Sequence, residues 1–150
     1  PIGALAEELP QALADEYGNK HWLRVVTQRG ANDELIYATQ VRVGTPLWLT
    51  VRDEDLIFRD MDRMVNAMLA RSGGHKPVAV FQTDCLARGR RLFDRVMKEE
   101  LIQRMQSPLS GPSGVPPWFG MYGFGEYAKL GGRNAFHNYT TALATIMRKS

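Results

Sequence analysis

Aromatic and glycine residues interleave from Trp118 to Gly125, and the run ends on the carboxylate of Glu126. A glycine pair follows at Gly131 and Gly132, and then Phe136-His137-Asn138-Tyr139-Thr140. Seven of the chain's 14 glycines lie between Gly111 and Gly132, more than turns alone require. Read as a strand, the segment places Trp118, Tyr122, Phe124 and Glu126 on one face. Phe119, Met121 and the bare backbone of Gly123 and Gly125 lie on the other. A face stripped by glycine admits a ligand or a neighbouring backbone. Tight sheet-to-helix packing explains the glycines equally well. It explains Glu126 less well, because a carboxylate ending an apolar strand needs a partner.

Around this segment the chain reads as a single α+β domain, mostly antiparallel sheet with packed helices. Ala4–Tyr17 carries Leu5, Leu9 and Leu13 on a helical stripe, interrupted at Pro10 and ended by Gly18. Trp22–Gln28 and Leu35–Val43 read as strands paired in a hairpin, and Leu47–Val51 as a third strand. Asp53 caps a helix running to Ser72, the strongest apolar period in the chain. Val78–Gln82 reads as a central strand, followed by a turn at residues 83–85 and a helix near Ala87–Met105. That helix turns Leu92, Phe93, Val96, Met97, Leu101 and Ile102 inward. Ser107–Pro117 is too rich in proline and glycine for regular structure and reads as an ordered loop or a mobile element. Asn138–Met147 closes the domain as a strand, with helix as the alternative for 142–147.

The length of 150 residues suits one domain with a sizeable core. A net charge of +3 with mixed signs argues against a nucleic-acid partner, since Arg88-Gly-Arg-Arg91 is the one basic cluster. Cys85 stands alone, so no intrachain disulfide forms, and a reducing, cytoplasmic setting is expected. No apolar stretch approaches the ~20 residues that cross a bilayer, and no membrane role is expected. No signal peptide is visible, and the start at Pro1 reads as a domain cut from a longer protein.

Three constellations could carry chemistry. At the expected helix start after residue 85, Arg88, Arg90 and Arg91 would make a positive spot for a carboxylate or phosphate, unless Arg88 pairs with an acid such as Glu126. Cys85 beside them could be an activated thiol or an inert apolar filler. Tyr122 and Glu126 belong to the glycine-aromatic strand. His137 and Asn138 offer directional hydrogen bonds, or His137 is a satisfied structural histidine. No second histidine or cysteine stands at metal-ligand spacing.

The residues Phe81-Gln-Thr-Asp-Cys85-Leu-Ala-Arg88, Gly120-Met-Tyr-Gly-Phe-Gly125-Glu126 and Phe136-His137-Asn138-Tyr139-Thr140 resemble, in this order, the C-terminal half of the FIST sensory domain. The resemblance implies an intracellular signalling input module that binds a small ligand, an amino acid or similar metabolite. Arg88, Glu126, His137, Asn138, Cys85 and Tyr122 would be its ligand-binding residues, with no resident cofactor. The implied partners are the N-terminal FIST half and a signalling output such as a histidine kinase. Two alternatives come with it: a haem-based nitric oxide sensor with His137 as the axial ligand, and an enzyme with Cys85 as nucleophile, His137 as base and Glu126 orienting it.

Overall fold

A computed structural model of the chain describes residues 5–88 and 95–148, without the side chains of 95 and 96. Arg90, Arg91, Leu92, Phe93 and the Val96 side chain therefore lie outside the described residues. Among the described residues the architecture is α+β, with three α-helices and four small sheets, every strand pair but one antiparallel. Packing groups the chain into two compact units, one reaching Arg52 and taking in Phe124–Thr140, the other Asp53–Gly123 and the final strand.

The first unit opens on strand β1 (Leu5–Glu8) and helix α1 (Gln11–Tyr17), where the leucine stripe had suggested one helix from residue 4. Pro10 decides the outcome. It pushes Leu9 out of the helical region, and its own extended backbone (φ −54°, ψ 145°) starts α1 after it. Residues 5–8 then gain ladder bonds between β2 (His21–Arg24) and β5 (Leu47–Leu49), which override their helical period. The expected strand at 22–28 is split into β2 and β3 (Val26–Arg29) at Val25, whose N–H goes to the Asn138 side chain at 3.3 Å. The hairpin exists, but β3 alone pairs with β4 (Leu35–Tyr37), which is shorter than the alternation suggested.

Strand β8 (Glu126–Leu130) and β9 (Arg133–His137) form a second hairpin. Gly131 and Gly132 sit at its tip with φ of 60° and 73°, the double positive φ of a type I′ turn. The glycine-aromatic run is thus not one strand to Glu126; it breaks at Phe124-Gly125. Gly125 holds φ 150°, and the Phe136 ring lies where a side chain would go, 2.1 Å from an added Cβ. Leu9, Ala14 and Leu130 form this unit's buried core, with Leu13, Tyr17, Trp22 and Ala135 against it.

In the second unit, helix α2 (Glu54–Arg71) begins as expected: the Asp53 side chain accepts from the Leu56 N–H at 2.9 Å. Glu54 and Asp55 in the first turn and Arg71 in the last complement the helix dipole. Strand β6 (Pro77–Cys85) runs three residues past the expected end, because Thr83 and Asp84 pair on both sides and Cys85 pairs with β7 instead of turning. It is central: β10 (Thr141–Met147) lies antiparallel on one side and β7 (Trp118–Gly123) parallel on the other. Residues 142–147 are strand, not helix, and the closing strand expected from Asn138 begins only at Thr141, after β9 (Arg133–His137) has ended.

Leu86–Arg88 make a 3-10 turn, and helix α3 (Arg95–Leu109) runs on through Pro108, taking residues 107–109 from the expected loop. Buried Leu109 holds that last turn in the core. The rest of the loop is ordered by paired Gly111–Gly114 backbone hydrogen bonds of 3.0 Å. Helices α2 and α3 cover one face of the sheet through Met61, Val65, Leu101, Met105 and Leu109, with Trp118 and Leu143 contributed by the strands. Leu101 has no exposed surface. Leu101→Ala should therefore cost about 2–5 kcal/mol, read as a lower urea midpoint, because a core this tight cannot collapse into the space left. A midpoint unchanged from the parent would refute this packing.

Candidate functional site

The sequence-selected residues fall into two groups. Glu126, His137 and Asn138 belong to the first unit; Cys85, Arg88 and Tyr122 belong to the second. Each group has its own geometry.

In the second unit, β6, α3 and β7 form a strand-helix-strand crossover with parallel strands. Register sets Asp84 against Tyr122 and Cys85 against Gly123, so Cys85, Arg88 and Tyr122 all sit at the carboxyl end of the parallel pair. Cys85 is buried, Arg88 half-buried and Tyr122 half exposed. Arg88 lies in the 3-10 turn that directly follows β6, not inside a helix's first turn.

Beneath them is a polar network that sequence reasoning missed. Asp84 is 3% exposed. Its Oδ1 accepts from the Thr141 hydroxyl at 2.7 Å, and its Oδ2 accepts from Gln82 Nε2 at 2.9 Å and from the Lys98 ammonium. Gln82 Oε1 accepts in turn from Trp118 Nε1 at 2.9 Å. The Lys98 ammonium lies 5.6 Å from the Tyr122 ring centre, within cation–π range. The signal was there in two patterns. Lys98 shares the inward stripe of Leu101 and Met105, and Gln82 and Asp84 share the face of buried Val80 at two-residue spacing.

In the first unit, Glu126 and His137 are cross-strand partners at one end of the β8–β9 hairpin. Glu126 Oε2 accepts from the Thr140 hydroxyl at 2.5 Å. The His137 ring is 3% exposed. It stacks on Tyr17 at 5.4 Å between ring centres and meets Trp22 at 5.3 Å. Neither ring nitrogen has a hydrogen bond of normal geometry among the described residues. Burial is the largest influence on its acidity and holds it below the ordinary imidazole value; the Ala128 backbone opposes this, and the Arg24 charge adds to it. Arg24 is itself buried. It stacks 3.7 Å over Trp22, pairs with Glu7 at 2.7 Å and donates to the Phe136 carbonyl at 3.3 Å. Tyr17, Trp22 and Arg24 had no local signal, since α1 and β2 supply them from far along the chain.

No group of three or more His, Cys, Asp or Glu side chains among the described residues could hold a metal. No helix among them is long and apolar enough to cross a membrane.

The family model of the FIST C domain matches residues 3–129, and the chain belongs to that family, one of sensory domains in signal transduction. It is similar to two uncharacterized proteins, Mb0898c of Mycobacterium bovis and MT0897 of Mycobacterium tuberculosis. Each is 32% identical over 112 residues, covering 71% of this chain and 26% of the relative. The chain thus spans about a quarter of the length of these relatives. No solved structure matches it.

Two outcomes check this geometry. Lys98→Met should lower stability by about 3–5 kcal/mol in chemical denaturation, because it leaves the buried Asp84 charge without its cation. Adding Asp84→Asn should restore most of that loss; a second loss of similar size would contradict the pairing. His137 behaves differently. Its folded value lies below the unfolded 6.5, so its contribution is complete above pH 6.5 and shrinks as the pH falls and the unfolded chain takes up the proton. His137→Phe keeps a ring against Tyr17 and Trp22. It should flatten the decline in urea midpoint between about pH 7.5 and 5.5. Equal slopes in parent and variant would show that folding leaves the proton affinity of His137 unchanged.

Proposed function

We propose that this chain is a small-ligand-binding sensory module whose ligand is an amino acid or a similar anionic metabolite, held at the carboxyl end of the β6–β7 parallel pair. One observation carries the reading. Cys85, Arg88 and Tyr122, selected from sequence alone, occupy the ends of the chain's one parallel strand pair among the described residues. In open sheets, ligands collect beyond the carboxyl ends of parallel strands, where loops replace the ladder and backbone N–H groups become available. Arg88 supplies a planar, permanently charged fork for a carboxylate. Tyr122 supplies a half-exposed ring, whose position the Lys98 ammonium biases from below. Cys85, buried at the strand end, shapes the floor of this site and is not its nucleophile.

Glu126, His137 and Asn138 are the first unit's candidate ligand contacts. Buried His137, whose ring nitrogens have no hydrogen bond of normal geometry among the described residues, is the group there best prepared to accept a new partner. The haem alternative would use that same imidazole. With 3% exposure and both Tyr17 and Trp22 against the ring, the residues do not fit a porphyrin without displacing one of them.

The domain would signal by preferring one of two conformations when occupied, with a histidine kinase or another output as the reader. The test is calorimetric titration of the full chain with a panel of free amino acids and dicarboxylates. A binder found this way should lose about tenfold in affinity in Arg88→Ala, roughly 1.5 kcal/mol, the scale of one charge-assisted hydrogen bond. Equal affinity in the variant would remove Arg88 from the site.

A further inference from the structure

Among the described residues, strand β10 pairs only with β6, which leaves its other edge open. A groove of about 500 Å³ runs beside that edge, between β10 and the second half of α2. Its walls are Met64, Met68, Leu143 and Met147, with Arg71 as the charged residue in the lining. Strand alternation sends Leu143, Thr145 and Met147 towards the helices and Ala142 to the opposite face. All four line the groove, so it wraps round the strand edge instead of stopping on one face of the sheet.

We propose that this groove is a docking site for an extended peptide segment of another protein, added as a fourth strand beside β10. The segment would carry apolar side chains on alternate positions and an acidic group near one end. Three features select this occupant. An open edge offers a row of unpaired backbone N–H and C=O groups, which a second strand satisfies best. Three methionines give a soft wall that adapts to different aliphatic side chains, as at other peptide-binding surfaces. Arg71 has its Nε fixed on the Ala67 carbonyl at 3.2 Å, which anchors the guanidinium at the end of α2. Its charge selects a carboxylate and disfavours a lysine or arginine there. The surface lies apart from Cys85, Arg88 and Tyr122 in the same unit, so occupancy of one does not require the other's residues.

The test uses a fluorescein-labelled heptapeptide of alternating valine and threonine that ends on glutamate, titrated with the full chain by anisotropy. Saturable binding is expected, with methyl-signal changes confined to Met64, Met68 and Met147 in spectra of the 13C-methyl-methionine protein. The same peptide N-methylated at alternate backbone positions should not bind, because it cannot extend the ladder. Arg71→Glu should weaken the glutamate peptide about tenfold and strengthen a lysine-ended version by a similar factor. Absence of saturable binding, equal binding of the N-methylated peptide, or a charge preference unaltered by Arg71→Glu would each overturn the proposal. A dimer in sedimentation velocity that the peptide fails to dissolve, and that protects the same three methionines, would assign the groove to a second copy and also overturn it.

Discussion

The buried carboxylate of Asp84 governs the second unit. A charge removed from water must be matched by donors at fixed positions, and here the donors come from several elements at once. Thr141 ties β10 to the carboxylate, Lys98 ties α3 to it, and Gln82 passes the network on to Trp118 of β7. Apolar packing of Leu101, Met105 and Leu109 brings the helix to the sheet but tolerates small slides. The carboxylate does not, because each donor has one geometry in which it bonds. It thereby fixes where β6 ends relative to β7, and with that the placement of Cys85, Arg88 and Tyr122.

The first unit solves a similar problem differently. Arg24 is buried with a full set of neighbours: the Glu7 carboxylate, the Trp22 ring and the Phe136 carbonyl. His137, one residue from that carbonyl, is buried by staying neutral among rings. Asn138 accepts from the Val25 N–H and interrupts the strand that Val25 would otherwise continue. Consecutive residues at the end of β9 thus perform separate tasks, which is why this short segment is both polar and almost wholly inaccessible.

Membership in the FIST C family defines the broad role, a sensory domain of signal transduction. A sensory domain needs a place for a ligand and a surface for a reader. The carboxyl end of β6–β7 and the open flank of β10 lie on opposite sides of the same central strand.

Much of this was legible before any coordinates. Asp53 as a cap, the period of α2, the central position of the Val78–Gln82 run and the Gly131–Gly132 turn depend on residues close in sequence, so local physics decides them. The sequence also placed Cys85 and Arg88 just beyond that strand, but it put Tyr122 in a separate segment, and only the parallel β6–β7 register brings Tyr122 to the same end. Tertiary structure alone decided that Leu5–Glu8 would be strand, since their helical period lost to ladder bonds on both sides. It alone brought Lys98 to Asp84 and Tyr17 and Trp22 to His137, because burying a charge or a ring depends on which distant groups arrive to meet it, and no local pattern records that.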